Sequence, residues 1–252
     1  SVIEMTSITL ETTNLTKKFG KFTAVDDVNM RINSGETRAL IGPNGAGKTT
    51  FQNLISGDLP VTEGSITFDG KDITSLSSYK RARVGIIRKY QENHIYESET
   101  VLQNMRIASR GRNSIPELMS ARDKSDIQDQ TIELLEIANL RTEQDTTATN
   151  LSHGEQQWLE IIMCVIADPT LLILDEPTSG MSVGETNDTV QLIDKIKKST
   201  DLSLLVVEHD MEFIKKVSNN ITVLHRGSVI AEGNIKQVEN NERVRKVYLE
   251  GG

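Results

Sequence analysis

At 252 residues the chain is long enough to bury a sizeable core, as one domain or as two unequal lobes. Its formal charge of −8 argues against a nucleic-acid partner and against a basic membrane-surface patch, while leaving room for a local basic site. The single cysteine, Cys164, rules out a disulfide framework; its apolar neighbours Ile162, Met163, Val165 and Ile166 favour a buried thiol over a nucleophile and fit a reducing compartment.

No apolar run approaches the roughly 18 residues of a membrane span, so any dealing with a membrane is expected to go through a partner. In chain order, Ile8 to Leu15 and Val25 to Ile32 alternate apolar and polar residues, as half-buried antiparallel strands do. Between them Phe19 and Phe22 either anchor a hairpin or, in the case of Phe19, stack on a nucleotide base. Thr37 to Ile41 is a short apolar run suited to a buried strand, and Phe51 to Ile55 carries apolar residues at helical spacing. Gly64 to Gly70 and Gly85 to Arg88 predict further short strands. From about Glu92 to Asn150 the period becomes helical, in Val101 to Ala108 and again in Ile127 to Leu140, with Pro116 placed to open another helix. The sheet returns with Leu171 to Pro177, a helix from about Gly184 to Lys198, and a buried strand Ser203 to Val207. A short helix after His209, strands at Ile221 to Leu224 and Ser228 to Ala231, and a polar C-terminal helix complete the chain. Strands alternating with helices, buried runs included, predict an α/β fold with a mainly parallel sheet covered on both faces.

Two motifs carry chemistry. Gly42 to Thr50 reads GPNGAGKTT, a G-x-x-x-x-G-K-T phosphate loop between a strand and a helix, the context the motif requires. Its glycines let backbone N–H groups wrap a polyphosphate, Lys48 reaches the β- and γ-phosphates, and the Thr49 hydroxyl can bind Mg²⁺. Leu171 to Leu174 followed by Asp175 and Glu176 places two carboxylates at the C-terminal end of a buried strand, where ligands bind in open α/β sheets. One acid can hold the metal and the other can orient or deprotonate water. His209 follows the strand Ser203 to Val207 by one residue and can hydrogen-bond a γ-phosphate or the attacking water.

Leu151-Ser-His-Gly-Glu-Gln156, about 20 residues before the acidic pair, resembles the L-S-G-G-Q signature of ATP-binding-cassette ATPases. The motif order matches that family too: phosphate loop, Gln91, signature, Asp175-Glu176, His209. Arg88 to Gln91, Leu151 to Ile161, Ser179 to Ser182 and Val247 to Leu249 resemble the branch serving branched-chain amino acid and urea importers, the urea type nearer. The resemblance implies one nucleotide-binding domain over residues 1–252 with the RecA-like P-loop core, an antiparallel β subdomain, and a helical subdomain at about 92–150. It implies ATP and Mg²⁺ as cofactors. Phe19 then stacks on adenine with Val25 beside it; Asn44, Gly45, Ala46, Gly47, Lys48, Thr49 and Thr50 wrap the phosphates; Thr49, Gln91 and Asp175 serve the metal. Glu176 is the general base, Gln91 reports nucleotide state and His209 contacts the γ-phosphate. Ser152 and Gly154 complete the site of a second ATPase subunit in a head-to-tail dimer, in the cell a paralogue, and Glu92 to Leu118 forms the groove that receives a permease helix. Cytoplasmic placement on the inner face of the membrane and an indirect solute-binding protein follow. The departures are His153 and Glu155 in the signature, which leave the Ser152 hydroxyl and the Gly154 backbone so that signature function is expected to survive, Ser182 where an aspartate is common, and the polar Glu92-Asn93-His94. A lipid or lipopolysaccharide exporter subunit and a soluble non-transport cassette ATPase are the alternatives.

Overall fold

A computed structural model describes residues 7–90, 95–110 and 124–250. Two sheets organise them. The first is antiparallel, in the order β2-β1-β4-β5, from β1 (Ile8–Phe19), β2 (Phe22–Asn33), β4 (Glu63–Phe68) and β5 (Lys71–Asp72). The second has the order β10-β9-β3-β8-β7-β6, from β3 (Thr37–Ile41), β6 (Ile86–Lys89), β7 (Leu171–Asp175), β8 (Ser203–Val207), β9 (Asn220–His225) and β10 (Ser228–Gly233). Its strands run parallel except the β9–β10 pair. The α/β class with a mainly parallel core and an antiparallel β part is therefore as the sequence predicts.

Every residue of β3, β7 and β8 is buried, as central parallel strands must be when both faces are covered. Alternation decides which face each side chain joins. Leu172, Leu174, Leu204 and Val206 pack with α3 (Val101–Ala108), α4 (Lys124–Ile137) and α5 (His153–Ile166), whereas Leu171, Ile173, Leu205 and Val207 pack with α1 (Lys48–Ser56) and the antiparallel sheet. A third cluster, around Ile41, Ile221 and Val223, is closed by α7 (Met211–Val217), α8 (Ile235–Glu239) and α9 (Glu242–Glu250), and α6 (Val183–Ser199) joins the first.

Several boundaries differ from the sequence reading. β1 and β2 extend into one long hairpin, so Phe19 and Phe22 face each other as its last pair. The helix read at Ile127 to Leu140 spans Lys124–Ile137, because Asn139 adopts a left-handed conformation (φ 57°) that ends the helical path. The helix α2 (Ser78–Val84) lacks the apolar period that would reveal it. It is held by Arg81, only 1% exposed, whose guanidinium donates to the carbonyls of Leu54, Ile55, Leu76 and Thr74, two of them at the C-terminal end of α1. The helix suggested at Pro116, and Gln91 with Glu92-Asn93-His94, lie outside the described residues. Among the described residues no helix is long and apolar enough to cross a membrane.

Candidate nucleotide site

Register brings the functional residues to one edge. Leu40 of β3 and Asp175 of β7 both pair with Val207 of β8, and Lys89 of β6 pairs with Leu174. The phosphate loop, the acidic pair, His209 and the segment leading to Gln91 therefore leave neighbouring strands at the same C-terminal edge, where open α/β sheets bind ligands.

Gly47 holds φ 102° as the N-cap of α1 and supplies no side-chain cap, so the first-turn N–H groups remain available to an anion. A Cβ at Gly47 would stand 2.5 Å from the Ala24 carbonyl oxygen of β2, and one at Gly42 would stand 2.2 Å from that of Leu224. Replacing Gly47 by Ala therefore combines left-handed strain with a backbone clash. The expected cost is about 2 kcal/mol or more, a fall in Tm of roughly 4–8 °C by calorimetry, and a parental Tm would contradict the tight approach. Asn44, Gly45 and Thr49 are exposed, Ala46 is buried, and Thr50 is half-buried. The Lys48 ammonium folds back onto its own loop, donating to the carbonyls of Gly42 at 2.7 Å and Pro43 at 3.2 Å. Burial lowers its pKa from the ordinary lysine value, and the carboxylates of Glu176 and Asp175 oppose that shift.

Asp175 is buried at the end of β7, with its Oδ2 3.0 Å from Arg88 Nη2. Glu176 leaves the strand at φ 46°, a conformation a non-glycine residue adopts at a cost, and its N–H is fixed by the Val207 carbonyl at 2.8 Å. His209, with a side chain 73% exposed, brings Nδ1 to 3.8 Å from Glu176 Oε1 and 3.3 Å from Glu208 Oε2. Glu208 was legible only as a neighbour of His209. It is buried, accepts from the His209 N–H at 2.8 Å and takes the Thr178 hydroxyl, joining the turns after β7 and β8.

The hairpin end lies beside the loop. Asp26 N–H donates to the Gly227 carbonyl, and Gly227 N–H to the Ala46 carbonyl, both at 2.9 Å. Phe19 is 47% exposed with the Lys17 ammonium 5.2 Å from its ring centre, and Phe22 is 66% exposed. Val25, expected beside the base, is fully buried among Leu15, Val28 and Leu224 beneath the hairpin.

Ser152 is the N-cap of α5 in a capping box: its hydroxyl accepts from Glu155 N–H at 3.3 Å, and Glu155 accepts from Ser152 N–H at 2.8 Å. The Ser152 hydroxyl keeps its own proton to donate. This accounts for Glu155, and the S-x-x-E spacing was readable in the sequence. Ser182 caps α6 through Glu185 in the same way. The Glu185 carboxylate also lies against Gly154; hydrogen bonds from Ser182 above all, then from Gly154 N–H, hold its pKa below the ordinary value. His153 Nε2 donates to the Ser179 carbonyl at 3.1 Å, so the residue that replaces a signature glycine ties α5 to the turn after β7.

Beside the β6 edge lies a groove of about 410 Å³ between α2, β6, α3 and α5, lined by Tyr79, Arg83, Ile87, Tyr90, Ala108, Met163 and Cys164 among others. Cys164 is half-buried in its wall, and burial pushes its thiol up to about 12, far from thiolate reactivity at neutral pH.

Comparison with known proteins places these observations. The ABC transporter family model matches residues 25–179. The high-affinity branched-chain amino acid transport ATP-binding protein BraF of Pseudomonas aeruginosa is 34% identical over 247 residues, 95% of this chain and 97% of its own length. The probable branched-chain amino acid transport ATP-binding protein LivG of Archaeoglobus fulgidus is 36% identical over 244 residues, 95% of both chains. Among solved structures, the ADP conformation of MJ1267, an ATP-binding cassette of an ABC transporter, superimposes with TM-score 0.83 at 29% identity, covering 96% of this chain and 98% of that one. A nucleotide-free cassette from an ABC transporter gives 0.82 at 29% identity, with the same coverage.

Proposed function

The chain belongs to the ABC transporter family of ATPases, and from that premise we propose that it energises import of branched-chain amino acids, urea or a similar small solute through a separate permease. It binds and hydrolyses ATP, as that family does. The observation that carries the importer reading is full-length likeness to relatives named for branched-chain amino acid transport. The groove beside β6 supports it, because a mainly apolar trough next to the nucleotide edge suits an amphipathic helix from a membrane subunit. We assign residues 1–252 to a single nucleotide-binding domain whose helical subdomain spans about 92–150, working against the inner face of the membrane.

In the proposed mechanism the first-turn N–H groups of α1 hold the phosphates, and Lys48 exchanges its two loop carbonyls for phosphate oxygens. The site fits a Mg²⁺ ion: this metal needs only one or two carboxylates beside phosphate oxygens and water, and Thr49, Asp175 and Gln91 would hold it. When bound, it neutralises charge developing on the phosphates. Glu176 takes a proton from the attacking water while that oxygen bonds to the γ-phosphorus and the bond to the β-phosphate bridging oxygen breaks, releasing ADP and phosphate. His209 is exposed enough to turn toward the γ-phosphate. Phe19 offers its open face to the base. The second half of each site is the Ser152 hydroxyl and the Gly154 backbone of another ATPase subunit, a paralogue in the cell, facing the phosphate loop across a head-to-tail dimer, with the Gly154 N–H exchanging the Glu185 carboxylate for phosphate. Co-purification from native membranes tests the reading: a permease pair with a second ATPase is expected, and recovery with ribosomes or a soluble scaffold would overturn it.

A further inference from the structure

Arg88 is one side chain with two addresses. It belongs to β6, pairs with Ile173 of β7, and lines the groove together with Tyr90. Its guanidinium is nevertheless only 5% exposed and reaches across the sheet edge to the nucleotide side. There Nη2 donates to Asp175 Oδ2 at 3.0 Å and to Gln52 Oε1 at 2.9 Å, while Nη1 donates to Asn53 Oδ1 and stands 3.6 Å from Asp58 Oδ2. The guanidinium also stacks over Tyr90, 4.8 Å from the ring centre, and the Tyr90 hydroxyl donates to Asp58 at 2.9 Å.

A carboxylate as buried as Asp175 is costly unless a cation or several donors compensate it. Arg88 supplies that cation. Its planar fork also fixes the direction of the compensation, because Gln52 and Asn53 of α1 hold the same guanidinium. The contact engages Oδ2, so the fork fixes one carboxylate oxygen of Asp175.

We propose that Arg88 is a positioning residue for Asp175: it orients the carboxylate toward Mg²⁺. The proposal rests on the reading of Asp175 as the metal acid. Support of this kind around a metal ligand is typically worth about 10- to 100-fold in metal affinity or activity.

The test is binding of a fluorescent ATP analogue to the intact chain, titrated with Mg²⁺ and repeated in EDTA, for the parent, Arg88→Gln, Arg88→Lys and Asp175→Asn, with nucleotide-free melting curves alongside. Arg88→Gln is expected to raise the Mg²⁺ concentration for half-maximal effect about tenfold while binding in EDTA stays within about twofold of the parent. Arg88→Lys keeps the charge without the fork and is expected to shift it about threefold. If Arg88→Gln does not fold, the Arg88→Lys shift decides alone. A parental Mg²⁺ dependence in the decisive Arg88 variant, with Asp175→Asn shifted, overturns the positioning role only. A parental dependence in Asp175→Asn overturns the metal assignment itself, and this proposal with it.

Discussion

Glu176→Gln is expected to lose about 10²- to 10⁴-fold in ATP turnover while binding ATP as the parent does, the range that a positioned general base contributes. The amide has the shape of the carboxylate and keeps the left-handed backbone at this position, so the phosphates and the strand end are untouched. What is lost is the group that takes the proton from water. In the proposed mechanism ATP favours closure of two subunits and hydrolysis releases it, so the variant is expected to accumulate as an ATP-bound dimer. Single-turnover hydrolysis and size-exclusion chromatography read the two effects separately. Parental turnover would remove Glu176 from the role of base, and His209, 3.8 Å from it, would become the next candidate.

Lys48→Ala acts one step earlier. The ammonium is half-buried, folded onto two carbonyls of its own loop, and close enough to feel both carboxylates of the acidic pair. Truncating one member of a desolvated charge contact costs about 2–5 kcal/mol, so ATP affinity is expected to fall by at least about 30-fold. Stability should change little, because the Gly42 and Pro43 carbonyls lie at the open end of the loop, where water can replace a half-buried ammonium. Equilibrium nucleotide binding checks the first point and thermal unfolding the second. Unaltered affinity would count against the phosphate-loop role of Lys48.

The parts of this molecule that could be read from the chain are those whose signal is local. β3, β7 and β8 announce themselves as continuous apolar runs because both faces of each are covered, and the glycine loop and acidic pair are contiguous. The sequence reading ends β1 early because Thr16-Lys-Lys-Phe19 carries no alternation, and starts β2 late because Phe22 stands exposed beside the turn. α2 was missed for a related reason: it is held by one buried arginine bonded to four carbonyls, and an arginine reads as a surface residue. At the site, the contact of Arg88 with Asp175 spans 87 residues and the contact of His153 with Ser179 spans 26, so no spacing rule could have found either. The capping boxes at Ser152 and Ser182 were within reach of the sequence through their S-x-x-E spacing.

The phosphate loop at Gly42–Thr50 is, on this account, half a site. Its proposed complement is the Ser152–Gly154 end of α5 on another subunit, so one chain alone is expected to lack a full set of phosphate ligands. Specific ATPase activity measured against protein concentration tests this most directly. With the purified chain pairing with itself, activity per chain is expected to rise with concentration toward a plateau, and Ser152→Ala mixed with Lys48→Ala to recover activity neither variant has alone. Activity per chain that stays constant on dilution, with no recovery on mixing, would contradict it.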